Sequence, residues 1–156
     1  MIRKAVGAIV KAGDQFLLIH KVRIMDCQGA PLTIKGEWDF PKGGIKPDET
    51  NPAKAILREL KEETGSIQYR IISQFNDKLC FPFPLAVRKR SGFERQETTM
   101  FLVEYIGNRQ DLQPQDEEID KLQFFSRKEV VEKLCHTETR QFFQKYFPEE
   151  GRVLIS

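Results

Sequence analysis

Three glutamates, Glu59, Glu62 and Glu63, stand close together in the middle of this 156-residue chain. On a helix, residues three and four positions apart are neighbours, so these carboxylates converge on one side. Such crowding destabilises an isolated helix, but a hard divalent cation reverses the penalty. Mg²⁺ takes a few carboxylates, keeps several waters and accepts phosphate oxygens as its remaining ligands. The spacing therefore predicts a Mg²⁺ site, with Mn²⁺ as a substitute, and the alternative is a solvated acidic face.

The element that must carry these glutamates is predicted to be a helix over residues 52–64. Thr50 or Asn51 is expected as its N-cap, Pro52 stands at the first helical position, and Gly65 follows the last turn. Apolar spacing at i, i+3 and i+4 predicts one face that packs on a sheet. That face comprises Ala53, Ile56, Leu57, Leu60 and Thr64.

The glycine loop and helix together resemble the Nudix box, whose pattern is G-x5-E-x7-R-E-U-x-E-E-x-G-U with U an aliphatic residue. The run from Arg58 to Gly65 matches the second half of that pattern position by position, although Ser66 replaces the final aliphatic residue. In the first half, Glu49 lies nine positions before Arg58, where the pattern has eight.

Two alignments of the first half are open. Counting back from the arginine places Gly44 and Thr50 at the Gly and Glu positions. Counting from Gly43 restores Glu49 and makes Asn51 a one-residue insertion. We prefer the insertion, because it falls in the loop before the helix and leaves the glutamate spacing unchanged.

The resemblance implies an α+β fold, a Nudix-like α/β/α sandwich with a mixed β-sheet and a loop-helix-loop catalytic motif. It also implies a hydrolase that acts on phosphoric anhydride bonds. Arg58 would orient the glutamates, Glu59, Glu62 and Glu63 would bind the metal, and Glu49 would support the loop. The same arginine next to carboxylates is also an ordinary structural ion pair.

A catalytic base in this family often comes from a later loop, and residues 114–120 offer acidic side chains for that role. Glu118 fits best, directly before the β-like run 119–125. The alternative is that these residues are surface charges.

The residues ahead of the box, 38–45, read Trp-Asp-Phe-Pro-Lys-Gly-Gly-Ile. They resemble the box entry in the branch that contains RNA pyrophosphohydrolases and dinucleoside polyphosphate hydrolases. Lys42 is expected to neutralise substrate phosphate, beside the backbone of Gly43 and Gly44. Phe40 is expected in the core.

Positive charge gathers at residues 88–95. Arg88 and Arg90 are expected to hold further phosphates or an RNA 5′ end, and the alternative is that they are solvated in a hairpin.

The predicted function is a metal-dependent pyrophosphohydrolase that cleaves a nucleoside diphosphate linked to another moiety. The preferred substrate is a dinucleoside polyphosphate or a 5′-polyphosphorylated RNA end. An oxidised nucleoside triphosphate or ADP-ribose stays open, because the box is shared. A catalytically inactive nucleotide sensor is disfavoured, because all three metal glutamates are present.

Composition places these features in one globular domain over residues 1–156. The chain is 40% hydrophobic and 31% charged, and no apolar run approaches the roughly 20 residues of a membrane span. Three widely separated cysteines without a C-x-x-C pair favour a reducing cytoplasm. The net charge of +2 indicates little about nucleic acid, and no stable protein partner is inferred.

The remaining pattern supplies the sheet and the closing helices. Strands are expected at 2–10 and 15–20 around a hairpin turn, and at 67–75 and 97–106. Residues 21–37 are expected to form a loop, and residues 76–96 an irregular or hairpin excursion. A capping box from Ser126 to Glu129 precedes terminal helical segments.

Overall fold

The computed structural model describes residues 1–25 and 31–149, so Cys27, Gly29 and residues 150–156 lie outside the described parts. The strands are β1 (Ile2–Ala12), β2 (Gln15–Met25), β3 (Pro31–Asp39), β4 (Lys42–Gly44), β5 (Tyr69–Pro82), β6 (Arg95–Tyr105) and β7 (Ile119–Ser126). The helices are α1 (Pro52–Thr64), α2 (Leu85–Ser91), α3 (Arg127–Lys133) and α4 (Thr137–Tyr146).

Strand β1 lies at the centre of a mixed sheet with the strand order β3-β2-β1-β6-β5. It pairs in parallel with β6 from Ile2 opposite Arg95 to Lys11 opposite Glu104. Its antiparallel neighbours are β2, across the predicted hairpin turn, and the short strand β4. Strand β7 adds to β2. The mixed sheet that the resemblance implied is therefore confirmed.

Helices cover both faces of this sheet, which gives three layers. On one face, Ile56 and Leu60 of α1 pack with Val6, Ala8 and other buried residues of the sheet. On the other face, the apolar side chains of α3 and α4 pack around Phe40, which is fully buried as predicted. Within the described ranges, none of the helices has the length and apolar character needed to cross a membrane.

Helix α1 has the predicted bounds. Asn51 is the N-cap, since its side chain accepts a hydrogen bond from the backbone N–H of Ala53 at 2.9 Å. Gly65 ends the helix in the left-handed conformation, with φ of 78°. The predicted buried face needs one correction, because Leu57 is 38% exposed and the fully buried Ala55 takes part instead. Leu57 lies at the margin of the stripe centred on Ile56.

The loop predicted over residues 21–37 is wrong. Strand β2 continues to Met25, and β3 begins at Pro31 and pairs with β2. Strand β3 stands at the end of the sheet order, and an edge strand tolerates the proline and glycine that argued against a strand. The ladder also shifts between Lys21 and Arg23, which hides the alternation of side chains that identifies a strand.

Of the irregular and hairpin alternatives predicted for residues 76–96, the hairpin is correct, because β5 and β6 pair antiparallel across this segment. Strand β5 extends to Pro82, with register shifts between Ile71 and Ser73 and between Gln74 and Lys78. Helix α2 follows over Leu85–Ser91. The capping box from Ser126 to Glu129 and the terminal helices are confirmed.

Candidate active site

The acidic face of α1 lies against the glycine strand β4. The carboxylate of Glu59 occupies the space directly above Gly43, where the Cβ of any other residue would overlap it. Burial raises the pKa of Glu59, although the adjacent Arg58 guanidinium opposes this shift. Only glycine at position 43 lets the helix carboxylate approach the strand so closely.

Glu63 is the most deeply buried of the three glutamates, at 4% exposure. Its Oε1 atom has no hydrogen-bond partner among the described residues. Burial raises the pKa of Glu63 well above its ordinary value, and the negative charge of Glu59 adds to this effect while Lys21 opposes it. An unpaired buried carboxylate is expensive unless a cation accompanies it.

Arg58 connects the loop before α1 to the glutamates. Its Nε and Nη2 atoms each donate to Glu49 at 2.8 Å, and its Nη1 atom donates to Glu59 and Glu62 at 2.9 Å. Nη2 also donates to the carbonyl of Gly44 at 3.1 Å. The hydrogen bonds from Arg58 lower the pKa of Glu49 to about 2. These contacts join Glu49 to the acidic face of α1 through Arg58, and the alignment with an inserted Asn51 stays a prediction.

The loop that carries Glu118 lies beside the end of α1. The backbone N–H of Gln113 donates to the carbonyl of Thr64 at 2.9 Å, and Val22 of β2 donates to the carbonyl of Glu118 at 2.8 Å. Glu118 is half-buried; burial raises its pKa, and the charge of Asp116 adds to the effect. The fold thus brings this predicted base candidate to the same end of the molecule as the glutamates.

Lys21 links these carboxylates and was not expected from the sequence. Burial disfavours its charged form, but the charges of Asp39, Glu63 and Glu118 outweigh burial and raise the pKa of Lys21. Its Nζ atom lies 3.9 Å from Asp39 Oδ2. The sequence pattern did not indicate a role for this residue, because its segment was expected to be a loop.

Lys42 is buried and already paired. Its Nζ atom lies 3.1 Å from Asp39 Oδ2, donates to Thr139 Oγ1 at 3.3 Å and stands 5.0 Å from the centre of the Phe81 ring. Burial lowers the pKa of Lys42, while Asp39 opposes this shift. A phosphate contact from Lys42 would therefore share the ammonium with Asp39.

A cavity of about 650 Å³ opens beside the acidic face of α1. Its basic lining comes from Arg3, Lys4, Lys46 and Arg58. The remaining lining residues are Gly44, Ile45, Pro47, Glu59, Glu62 and Phe93. Sequence reasoning missed the first three basic residues, because two of them begin a strand and the third follows the glycines without a distinct pattern.

The basic run at residues 88–95 lies in the connection of the antiparallel hairpin that β5 and β6 form, as one of the two predictions expected. Arg88 and Arg90 are exposed on the short helix α2, and Arg88 Nε donates to the carbonyl of Phe83 at 2.8 Å. Neither arginine lines the cavity, although Phe93, which follows α2, does. If these two arginines contact a substrate as predicted, they contact a part of it that lies outside the cavity.

A family model described as "NUDIX domain" matches residues 1–146 of this chain. The chain belongs to the Nudix family. This membership confirms the predicted fold class and the predicted enzyme class, a hydrolase of phosphoric anhydride bonds.

Two bacterial proteins are among the relatives of this chain at about one-third sequence identity. An RNA pyrophosphohydrolase of Helicobacter pylori is 33% identical over 124 residues, which cover 77% of this chain and 79% of the relative. An RNA pyrophosphohydrolase of Campylobacter jejuni is 33% identical over 120 residues, covering 74% and 76%.

Solved structures share the fold at lower identity. The Ap4A hydrolase of C. elegans in a binary complex has a TM-score of 0.68 at 17% identity, covering 93% of this chain and 95% of that one. The MutT protein of Methanosarcina mazei has a TM-score of 0.70 at 21% identity, covering 94% and 93%.

Nudix hydrolases require a divalent metal, and the residues on α1 fit one by their chemistry. In the part of the chain that the structure describes, the carboxylates of Glu59, Glu62 and Glu63 are not gathered within 4.8 Å of one another, and Arg58 binds two of them. The donor set of Glu59, Glu62 and Glu63 is made of oxygen atoms, which suits a hard divalent ion. The orphaned Oε1 of Glu63 supplies a ligand position with no competing partner among the described residues. That these three glutamates are the metal ligands stays a prediction.

Proposed function

We propose that this Nudix hydrolase removes phosphate groups from 5′-polyphosphorylated RNA ends, and that it accepts dinucleoside polyphosphates by the same chemistry. Glu59, Glu62 and Glu63 hold Mg²⁺, with Mn²⁺ as a substitute. The observation that carries the proposal is the basic cavity, which shares Glu59 and Glu62 with the metal site.

The lining of this cavity suits a chain of several phosphates. Glu59 and Glu62, two of the proposed metal ligands, line the cavity together with the basic residues Arg3 and Lys4 of β1. A polyphosphate that is bound at the carboxylate site therefore meets further cations along its length. ADP-ribose has two phosphates and a neutral sugar, so it makes less use of such a lining than a triphosphate end does.

The relatives support RNA ends as the first choice. Both bacterial relatives named RNA pyrophosphohydrolase match about three quarters of the chain at 33% identity. The run at residues 38–45 agrees with that branch. The Ap4A hydrolase shares only 17% identity with this chain, so the likeness supports the fold and not the choice of substrate.

The proposed reaction is substitution at phosphorus by water. When bound, the divalent ion neutralises phosphate oxygens and lowers the pKa of water. The water oxygen forms the new bond to phosphorus, and the bridging anhydride oxygen leaves with the electron pair of the broken bond. We infer that Glu118 accepts the proton of the water, and burial, which raises the pKa of this carboxyl above its ordinary value, supports the assignment.

Lys42, Gly43 and Gly44 complete the proposed phosphate contacts. Lys42 contributes its ammonium from the side of Asp39. Gly43 and Gly44 contribute backbone groups beside the Glu59 carboxylate and the Arg3 guanidinium, which occupy the space over the two glycines. Arg88 and Arg90 bind the phosphodiester chain of a long RNA outside the cavity. We also infer that residues 1–156 act as a single domain in a reducing cytoplasm.

Hydrolysis of a substrate panel tests the proposal. The panel contains 5′-triphosphorylated RNA, diadenosine tetraphosphate, ADP-ribose and an oxidised guanine triphosphate, each with and without Mg²⁺. We expect Mg²⁺-dependent cleavage with the highest kcat/KM for RNA. A higher kcat/KM for ADP-ribose or the free triphosphate would overturn the substrate assignment. Nucleotide binding without turnover of any substrate would favour the sensor instead.

A further inference from the structure

A second group of metal-binding side chains lies between strand β3 and the turn that joins α3 to α4. Glu37 of β3 and the adjacent residues Cys135 and His136 each offer one ligand atom, and these atoms all lie within 4.8 Å of one another. The Nε2 atom of His136 is 3.1 Å from Glu37 Oε2. None of these three residues belongs to the carboxylate site on α1.

The fold holds the two parts of this group together. Trp38, next to Glu37, forms a parallel bridge with Leu134, next to Cys135. The turn itself is fixed, because Arg140 Nη2 donates to the carbonyl of Leu134 at 2.6 Å and the Arg140 N–H donates to the carbonyl of His136 at 3.0 Å. The three ligand side chains are therefore carried by backbone segments that hydrogen bonds hold in place.

The chemistry of this group differs from that of the Nudix carboxylates. A thiolate and an imidazole are soft or borderline ligands, which select zinc over magnesium. Zinc bonds of about 2.0–2.3 Å in a tetrahedral site place ligand atoms about 3.5 Å apart, so only small side-chain rotations are needed. All three residues are partly or fully exposed, so an ion can enter from solvent and water can complete the coordination.

We propose that Glu37, Cys135 and His136 bind a single Zn²⁺ ion, with water as its fourth ligand. This ion would join the edge strand β3 to the α3–α4 turn. The neighbouring carboxylate of Asp39 is paired with Lys42, which leaves Glu37 as the carboxylate available to the ion. The proposal does not depend on the substrate of the Nudix site.

Cobalt substitution tests the site without an activity assay. Co²⁺ bound to a thiolate gives an intense charge-transfer absorption in the near ultraviolet, whereas Co²⁺ on carboxylates does not. The titration is run with excess Mg²⁺ to occupy the carboxylates of α1. The protein samples are the wild type, C135A, C80A and the double variant C27A/C80A. Cys80 is a free, exposed cysteine on β5 and provides the matched control.

We expect the absorption to saturate at one equivalent of Co²⁺ per chain in the wild type, C80A and C27A/C80A. It should be absent in C135A, and added Zn²⁺ should abolish it by displacing Co²⁺. Mutation of a residue that only hydrogen-bonds to a metal ligand weakens metal binding by about 10–100-fold. Removal of a ligand itself in H136A should therefore weaken Zn²⁺ binding by at least that factor. Far-ultraviolet circular dichroism checks folding. Absence of the absorption in C27A/C80A, or its persistence in folded C135A, would overturn the proposal.

Discussion

At the scale of single residues, Glu63 combines deep burial with an unpaired carboxylate oxygen. Protein interiors avoid this combination, because a buried charge without a partner costs several kcal/mol. Lys21 is nearby but does not form a hydrogen bond to it within the described residues. The arrangement therefore suits a carboxylate whose function is to bind a cation.

Replacing this charge by a neutral amide should separate stability from catalysis. We expect Glu63→Gln to fold with equal or greater stability without Mg²⁺, because the unpaired charge is removed. Turnover should fall by about 10²-fold or more, since a catalytic metal supplies several kcal/mol of transition-state stabilisation. Thermal unfolding with and without Mg²⁺, together with kcat on triphosphorylated RNA, measures both effects.

The control is Glu132→Gln on the exposed surface of α3, which should change neither quantity. Glu62→Gln should also fold and lose turnover, although its carboxylate is more exposed. Near-wild-type kcat in a folded Glu62 or Glu63 variant would contradict the metal assignment.

Adjacent glycines of β4 allow a second test. A Cβ in Gly43→Ala would displace the Glu59 carboxylate, whereas a Cβ in Gly44→Ala would meet Arg3 Nη2 at 2.8 Å, the movable end of a long side chain. We expect Gly43→Ala to raise the Mg²⁺ concentration for half-maximal activity by about 10–100-fold. Gly44→Ala should leave that concentration unchanged and affect only KM. A Mg²⁺ titration of initial rates that gives equal shifts in both would refute this interpretation.

At the scale of elements, the position of α1 depends on the segment that follows it. Gly65 ends the helix, and the hydroxyl of Ser66 donates to Asp111 Oδ2 at 2.5 Å. The hydroxyl of Tyr105, the last residue of β6, donates to Asp111 Oδ1 at 2.5 Å. Asp111 thereby joins the end of α1 to the central sheet.

This connection predicts a pH-dependent loss of stability. Hydrogen bonds from Ser66 and Tyr105 lower the pKa of Asp111 below 3.8, so its contribution is fully present above pH 3.8 and is lost as pH falls through the lowered value. We expect Asp111→Asn to be less stable than the wild type at pH 6, and the gap to narrow below pH 3.8. Urea unfolding across this pH range measures the gap, and a gap that widens in acid would exclude the explanation.

Helix α1 could be predicted because its signals are local. Asn51, Pro52 and Gly65 mark its ends, and its glutamates are spaced by the helical repeat. The role of Lys21 could not be predicted in this way. Its carboxylate neighbours come from β3, from α1 and from the loop before β7, and only the folded sheet brings them together.

The basic cavity was also beyond sequence reasoning. Arg3 and Phe93 lie about ninety positions apart, and they share a surface only because β1 pairs in parallel with β6. The fold class was accessible through the box, whereas β3 was not, because Pro31 and Gly36 weaken its strand pattern and its edge position tolerates them.

At the scale of the whole molecule, the net charge of +2 conceals an uneven surface. The amino group of Met1 donates to the carbonyl of Gly92 at 3.3 Å, so the residues after α2 lie beside the start of β1. This contact places the arginines of α2 on the same side of the molecule as the cavity residues Arg3 and Phe93. A long RNA bound at the cavity is thus near positive charge outside it.

This distribution predicts a salt effect that depends on substrate length. With long triphosphorylated RNA, log kcat/KM should fall linearly with the logarithm of the salt concentration. The slope should be less steep in R88A/R90A than in the wild type, by about 0.7 for each RNA phosphate that the two arginines neutralise. Diadenosine tetraphosphate should show no such change. The control K121A/K128A removes the same charge from exposed lysines of β7 and α3. Equal slopes in the two double variants would show that α2 does not bind RNA.

The parallel pairing of β1 with β6 also sets the timing of folding during synthesis. No residue of β1 from Ile2 to Lys11 can pair with β6 until the ribosome has synthesised its partner, which lies 93 positions later in the chain. At about 5–20 residues per second, this delay is about 5–19 s. Throughout that interval the apolar segment from Ala5 to Val10 lacks its main neighbour. Protection of this strand by a chaperone would therefore matter most before the ribosome reaches Glu104.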